Sequence, residues 1–288
     1  MNVWLALLTS NRREYSGSDS PIALVFTPCM GEDVRRDLLQ LTFSRASTRQ
    51  HYLHRGEANL FHHEEGDERL LRYRPASLNT HLIIRGDDLW QPSRALVWAD
   101  DGRSIRVFAF DPDLEAEDIT LSADPSEGDV ALRLSSTNLI PYDGSLGGIH
   151  HLILVMETAD RRWAGTDSPV RVTVDTASGR AFDYTIPDTP QWEQERAQAN
   201  FYYVTVTTPF AWEDVTRVRV SIRGDDMWHP RRFFVFGEAG PEDHRAIVPL
   251  AYVPSWDYRG LPTLSTDPSE GVPGVDLPLE RAPRPVPA

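Results

Sequence analysis

The chain has 288 residues, 40% of them hydrophobic, a formal net charge of −14 and a single cysteine. The acidity argues against nucleic acid as a partner, because phosphate binding needs clustered Lys and Arg. Cys29 alone excludes an internal disulfide, and no apolar run approaches the roughly 20 residues that span a bilayer as a helix.

In chain order, the apolar start at residues 1–8 lacks a basic leader and runs straight into patterned sequence, so it is expected to form a first strand. Synthesis in the cytoplasm is expected, with export by a specialised route left open. Residues 31–41 suggest a turn or two of helix in an insertion. Strands are expected at 80–85, 103–110, 152–157, 170–174, 201–207, 217–223, 232–236 and 245–252. The clearest is 217–223, where Val218, Val220 and Ile222 alternate with arginines; this fits an antiparallel sheet with one wet face. Gly, Pro and Asp punctuate these strands, and the spacing predicts a β-sandwich. Residues 129–148 carry turn chemistry and are expected to join two parts of the chain, while the proline-rich segment from 272 onward is expected to be extended or unstructured.

A duplication underlies this pattern. Residues 84–90 read Ile-Arg-Gly-Asp-Asp-Leu-Trp and residues 222–228 read Ile-Arg-Gly-Asp-Asp-Met-Trp, so six of seven positions are identical. Ser-Asp-Ser-Pro at 18–21 matches Thr-Asp-Ser-Pro at 166–169, Ala58-Asn59 matches Ala199-Asn200, and the Asp-Pro-Ser-Glu-Gly at 124–128 returns at 267–271. Each copy is about 120 residues, an ordinary size for one independently cored domain.

Taken in order, Thr158-Ala159-Asp160, Ala164-Gly165-Thr166-Asp167, Asn200 and Asp225-Asp226-Met227-Trp228 resemble the PLAT/LH2 domain, the β-sandwich found beside lipoxygenase and lipase catalytic domains. Copy one departs from the pattern, with Asn11 where Asp160 stands and Gly17-Ser18-Asp19 for Gly-Thr-Asp. The resemblance implies an all-β chain of two tandem antiparallel sandwiches of eight strands each, at 1–128 and 149–271, with 129–148 as linker and 272–288 as tail. It also implies a non-enzymatic binding protein whose loops at one end hold calcium and dock on a membrane surface or on a lipid-active partner. The alternative is a calcium-independent adaptor, chaperone or inhibitor of a separately encoded enzyme such as a lipase.

Calcium takes six to eight oxygen ligands, mixing carboxylates with carbonyls. The candidate set in copy two is Asp160, Gly165, Thr166, Asp167, Asn200, Asp225 and Asp226, and in copy one Asp19, Asn59, Asp87 and Asp88. The competing reading is that Gly-Thr-Asp and Gly-Asp-Asp are turns whose side-chain oxygens satisfy backbone N–H groups. Trp163, with Tyr15 in the matching place, and Phe210 and Trp212 in a second loop, are candidate contacts for a membrane or partner. Trp90 and Trp228 are expected as anchors of the core. The pairs His62-His63 and His150-His151 are expected to be strand residues facing opposite ways, unable to share one ion. No nucleophile elbow or phosphate-binding glycine loop is present in the sequence.

Overall fold

The computed structural model of the chain describes residues 1–12, 17–29, 39–43, 53, 56–64, 70, 73–86, 88–135, 139–140, 142, 144–186, 196–241 and 244–280. The chain divides into two units, Met1–Ile140 and Pro141–Ala288.

The first unit contains β1 (Asn2–Thr9), β2 (Ile22–Pro28), β3 (Leu39–Phe43), β4 (Ala58–His63), β5 (Leu78–Ile84), β6 (Pro92–Asp100), β7 (Ile105–Asp111) and β8 (Ala131–Leu134). They form two antiparallel sheets in the orders β4-β1-β6-β7 and β3-β2-β5-β8. The core lies between them: Val3, Leu5 and Leu7 of β1 meet Ile22, Leu24 and Phe26 of β2 and Leu82 and Ile84 of β5. Alternate residues of one strand point to one face, and each fully buried side chain of this kind contributes about 1.5–3 kcal/mol.

The second unit contains β9 (Ile149–Thr158), β10 (Val170–Thr176), β11 (Gly179–Thr185), β12 (Ala199–Phe210), β13 (Val215–Ile222), β14 (Pro230–Ala239), β15 (Ala246–Val253) and β16 (Gly274–Leu277). Its sheets run β12-β9-β14-β15 and β11-β10-β13-β16, the same orders as in the first unit strand for strand. Leu152, Leu154 and Met156 of β9 pack with Val170, Val172 and Val174 of β10 and with Val218, Val220 and Ile222 of β13. The arginines that alternate with the β13 valines lie on the other face, where Arg217 pairs with Asp175 at 2.7 Å and Arg219 with Asp276 at 3.0 Å. The fold is all-β and antiparallel, with eight described strands in each unit.

Four expectations need correction. Residues 131–134, placed in the linker, are β8 and close the second sheet of the first unit against β5; residues 274–277, placed in the tail, are β16 and do the same against β13. Leu39, Gln40 and Leu41, placed in a helical insertion, belong to β3, and residues 31–38 lie outside the described residues. Unlike β13, β9 and β14 are buried over nearly their whole length, because their apolar runs are continuous rather than alternating.

The last correction concerns His150 and His151, which do not face opposite ways. On the β14 side Leu152 faces Gly237, His151 faces Glu238 and Ile149 faces Ala239, so one extra residue of β9 is inserted at His150. Ile149 and Leu152 both enter the core, and the two histidines between them share the opposite face. This is a β-bulge, two residues of one strand opposing one of its neighbour.

Candidate functional site

The turns that carry the repeated acidic residues interlock at one end of each sandwich. In the second unit Asp226 Oδ2 accepts a hydrogen bond from the Asp167 N–H at 3.1 Å, and the Asp226 N–H donates to Ser168 Oγ at 3.2 Å. Thr166 Oγ1, buried, accepts from the Ser168 N–H at 3.0 Å. Gly224 holds a φ of 132°, and a Cβ there would fall 2.3 Å from Ser168 Oγ, so the invariance of Gly between the copies follows from this close approach. The first unit repeats the arrangement: the Asp19 N–H donates to Asp88 Oδ2 at 3.3 Å and Ser20 N–H to Ser18 Oγ at 2.9 Å. There the Asp88 carboxylate lies so near Asp19 that it holds the Asp19 carboxyl above the usual range, through their hydrogen bond first and like charge second.

Beside the interlocked turns of the second unit lies a cavity of about 640 Å³, lined by Trp163, Gly165, Thr166, Asp167, Arg196, Asp226, Met227 and Glu270. Five of these were predicted from sequence. Arg196, Met227 and Glu270 were not. Other predicted residues stand elsewhere. Asp160 is taken up by Arg196, whose Nε and Nη2 lie 2.8 and 2.7 Å from its Oδ1. Asp225 is exposed outside the cavity lining, and Asn200 is buried within β12 opposite Met156. Asn59 is buried in β4 opposite Leu7, its Nδ2 without a hydrogen-bond partner. Asp87 and Tyr15 lie outside the described residues.

Of the predicted contact residues, Trp163 is 68% exposed, while Phe210 is buried and Trp212 packs on the core and edge-on against Tyr142. Phe210 was misplaced because β12 runs on to residue 210 and turns its last ring inward, whereas Trp212 stands in the short connecting turn 212–214 and is half-buried. Trp163 holds a φ of 65°, a left-handed conformation that bulky residues adopt rarely. It is stacked under the Arg162 guanidinium, 4.7 Å from the ring centre.

Sequence reading missed Tyr258, which is 89% exposed. It shares the end occupied by Trp163, because its neighbour Asp257 lies 3.9 Å from Arg161 Nη1. Asp257 also accepts from buried His229 Nε2 at 2.9 Å, and the other ring nitrogen of His229 meets Thr263 Oγ1 at 3.1 Å. Burial holds the His229 imidazole below its ordinary pKa of 6.5, with Asp257 partly opposing. The turn 255–260, Ser-Trp-Asp-Tyr-Arg-Gly, carries the signal that would have found this ring: Trp256 is buried and Tyr258, two residues on, points out. Among the described residues the exposed large hydrophobic side chains are Val130, Trp163 and Tyr258, and two of the three sit at this rim.

No family model matches the chain, and no curated protein sequence does so either. Among solved structures it is similar to the alpha toxin of Clostridium absonum, at 18% identity and a TM-score of 0.30, over 35% of this chain and 27% of the toxin. A Clostridium perfringens alpha-toxin from an avian strain gives 16% identity and a TM-score of 0.30, over 38% of this chain and 33% of that one. A deletion variant of a lipoxygenase gives 19% and 0.25, over 35% and 17%. The chain therefore spans no more than a third of any of these three proteins.

Proposed function

We propose that this chain is a non-enzymatic, tandem PLAT-like binding protein, and that its second unit docks on a membrane surface through the aromatic rim of Trp163 and Tyr258 in a calcium-sensitive manner. The observation that carries this reading is the pair itself: two large amphipathic rings, 68% and 89% exposed, on adjacent turns at one end of the unit. Trp and Tyr favour the boundary between lipid and water because one side of the ring is apolar and the other polar. Arg161, Arg162 and Arg259 flank the rings on the same turns and are exposed, suited to anionic headgroups.

Calcium enters through the carboxylates beside the rings. A net charge of −14 repels an anionic leaflet, and Asp167, Asp226 and Glu270 add to that repulsion on the docking end itself. A cation bridging these oxygens to lipid phosphate removes the repulsion where it matters most. The experiment is sedimentation of the full chain with phosphatidylserine-containing vesicles, with calcium or with chelator, for wild type and a Trp163→Ala/Tyr258→Ala double variant. A protein partner held by the same rings is the outcome indicated if the variant loses a native binding protein while vesicle recovery is zero throughout.

A further inference from the structure

At the other end of β9 from the aromatic rim, the bulge brings together two imidazoles and a buried carboxylate. His150, His151 and Glu238 each place a ligand atom within 4.8 Å of the others, and among the described residues they are the sole group of three or more His, Cys, Asp or Glu to do so. We infer that His150, His151 and Glu238 form a binding site for a divalent transition ion of the zinc class, with a fourth position left for water.

The geometry suits that ion and not calcium. Zinc is held tetrahedrally by imidazole nitrogen and carboxylate oxygen at about 2.0–2.2 Å, which sets neighbouring ligand atoms about 3.4 Å apart, whereas calcium takes oxygen alone. His151 Nδ1 lies 3.2 Å from Glu238 Oε2, yet this nitrogen is shut off from solvent and makes no aligned hydrogen bond. A buried polar atom left in this way needs a partner.

The surroundings orient the carboxylate. Tyr203 Oη donates to Glu238 Oε2, Arg245 Nη1 lies 3.2 Å from Oε1, and the Tyr203 ring stacks on His151 at 4.5 Å. Outer partners of this kind fix the ligands of a metal centre. The same place in the first unit is built differently. Asp100 accepts from Trp4 Nε1 at 3.0 Å and from Asn2 Nδ2 at 3.3 Å, and Asn2 Oδ1 meets His62 Nε2 at 3.0 Å. One imidazole stands there in place of two, so the expected stoichiometry is one ion per chain.

The test is calorimetric titration of the tag-free, metal-stripped full chain with Zn²⁺, and with Co²⁺ as an optical probe. The expected result is one equivalent of either ion, with the intense visible bands of a tetrahedral cobalt centre, unaffected by excess calcium. His150→Ala, at a half-buried ring that the core does not use, abolishes both signals while the circular dichroism is unchanged. Tyr203→Phe weakens binding by about 10–100-fold, and His81→Gln, in the first unit, leaves it intact. Absence of saturable one-to-one binding overturns the inference, and so does a His150→Ala chain that binds within twofold of wild type. Both readouts are independent of vesicle binding, so this site and the proposed docking rim stand or fall separately.

Discussion

The indole of Trp228 donates its Nε1–H to Thr158 Oγ1 at 3.0 Å in the buried core of the second unit. Trp90 does the same to Thr9 at 3.1 Å in the first. The repeated tryptophan is thus a core anchor with a polar tether, not a surface ring, and both indoles are fully buried. Thr158→Val keeps the volume and removes the acceptor, leaving a buried N–H unsatisfied. A loss of about 1–3 kcal/mol in urea denaturation is expected, and an unchanged midpoint would show that the tether contributes nothing.

Glu157 is fully buried and pairs with Arg232, also buried, and with Arg231 at 3.2 Å. Removing one partner leaves a charge in the interior. Glu157→Ala is expected to lower stability by about 3–5 kcal/mol. The double substitution Glu157→Leu/Arg232→Met is expected to recover most of that loss, because it removes both charges together. If the single change were neutral, the pair would not be the internal charge balance described here.

The repeated Asp-Pro-Ser-Glu-Gly loops are structural turns. Asp124 Oδ1 accepts from Ser126 N–H at 2.8 Å and Oγ at 2.7 Å, and Asp267 does so from Ser269 at the same two distances. In both, the serine hydrogen bonds hold the aspartate below the usual carboxylate range. A Cβ on Gly271 would fall 2.2 Å from the Thr263 carbonyl oxygen, and one on Gly128 would fall 2.6 Å from that of Thr120. Gly271→Ala is expected to destabilise by about 1–3 kcal/mol, as overpacking does. A midpoint shift under about 0.5 kcal/mol, the range of ordinary surface substitutions, would contradict this.

Acidification gives a directional test. His229 and His151 in the second unit and His81 in the first are all held below 6.5 by burial. The unfolded chain takes up protons near pH 6.5 that the folded chain resists, so the folded state is favoured fully above that value and loses stability as pH falls below it. Melting temperature is expected to drop between pH 6.5 and 5 and to change little from 6.5 to 8. His229→Asn is expected to flatten the profile; a melting temperature that climbs on acidification through this window would reverse the assignment.

Much of the architecture was readable because it is periodic. The alternation at Val218, Val220 and Ile222 marks β13, and the twice-written Arg-Gly-Asp-Asp-x-Trp marks the interlocked turns. The strands β8 and β16 were not readable, since each has only four residues, too short to show a period. Short strands of this kind are placed by tertiary pairing, not by local preference. The bulge left a trace that went unused: core residues Ile149 and Leu152 are three apart where a regular strand requires two.

At the rim, Trp163 was legible as a large ring in the turn before Gly165, whereas Phe210 and Trp212 look equally exposed in sequence and differ in that β12 runs on to Phe210 and the Trp212 ring packs back on the core. Asp160 illustrates the same limit. Its carboxylate reads as a calcium ligand, but Arg196, 36 positions away, neutralises it. Long-range ion pairs of this kind are invisible to any local pattern.

The most direct test of the docking account is the fraction of full-length chain that sediments with phosphatidylserine-containing vesicles in calcium, against the same measurement in chelator and with Trp163→Ala/Tyr258→Ala. The account predicts substantial recovery for wild type in calcium, a several-fold fall in chelator, and background recovery for the double variant under both conditions. Equal recovery of wild type and variant, or equal recovery with and without calcium, would contradict it.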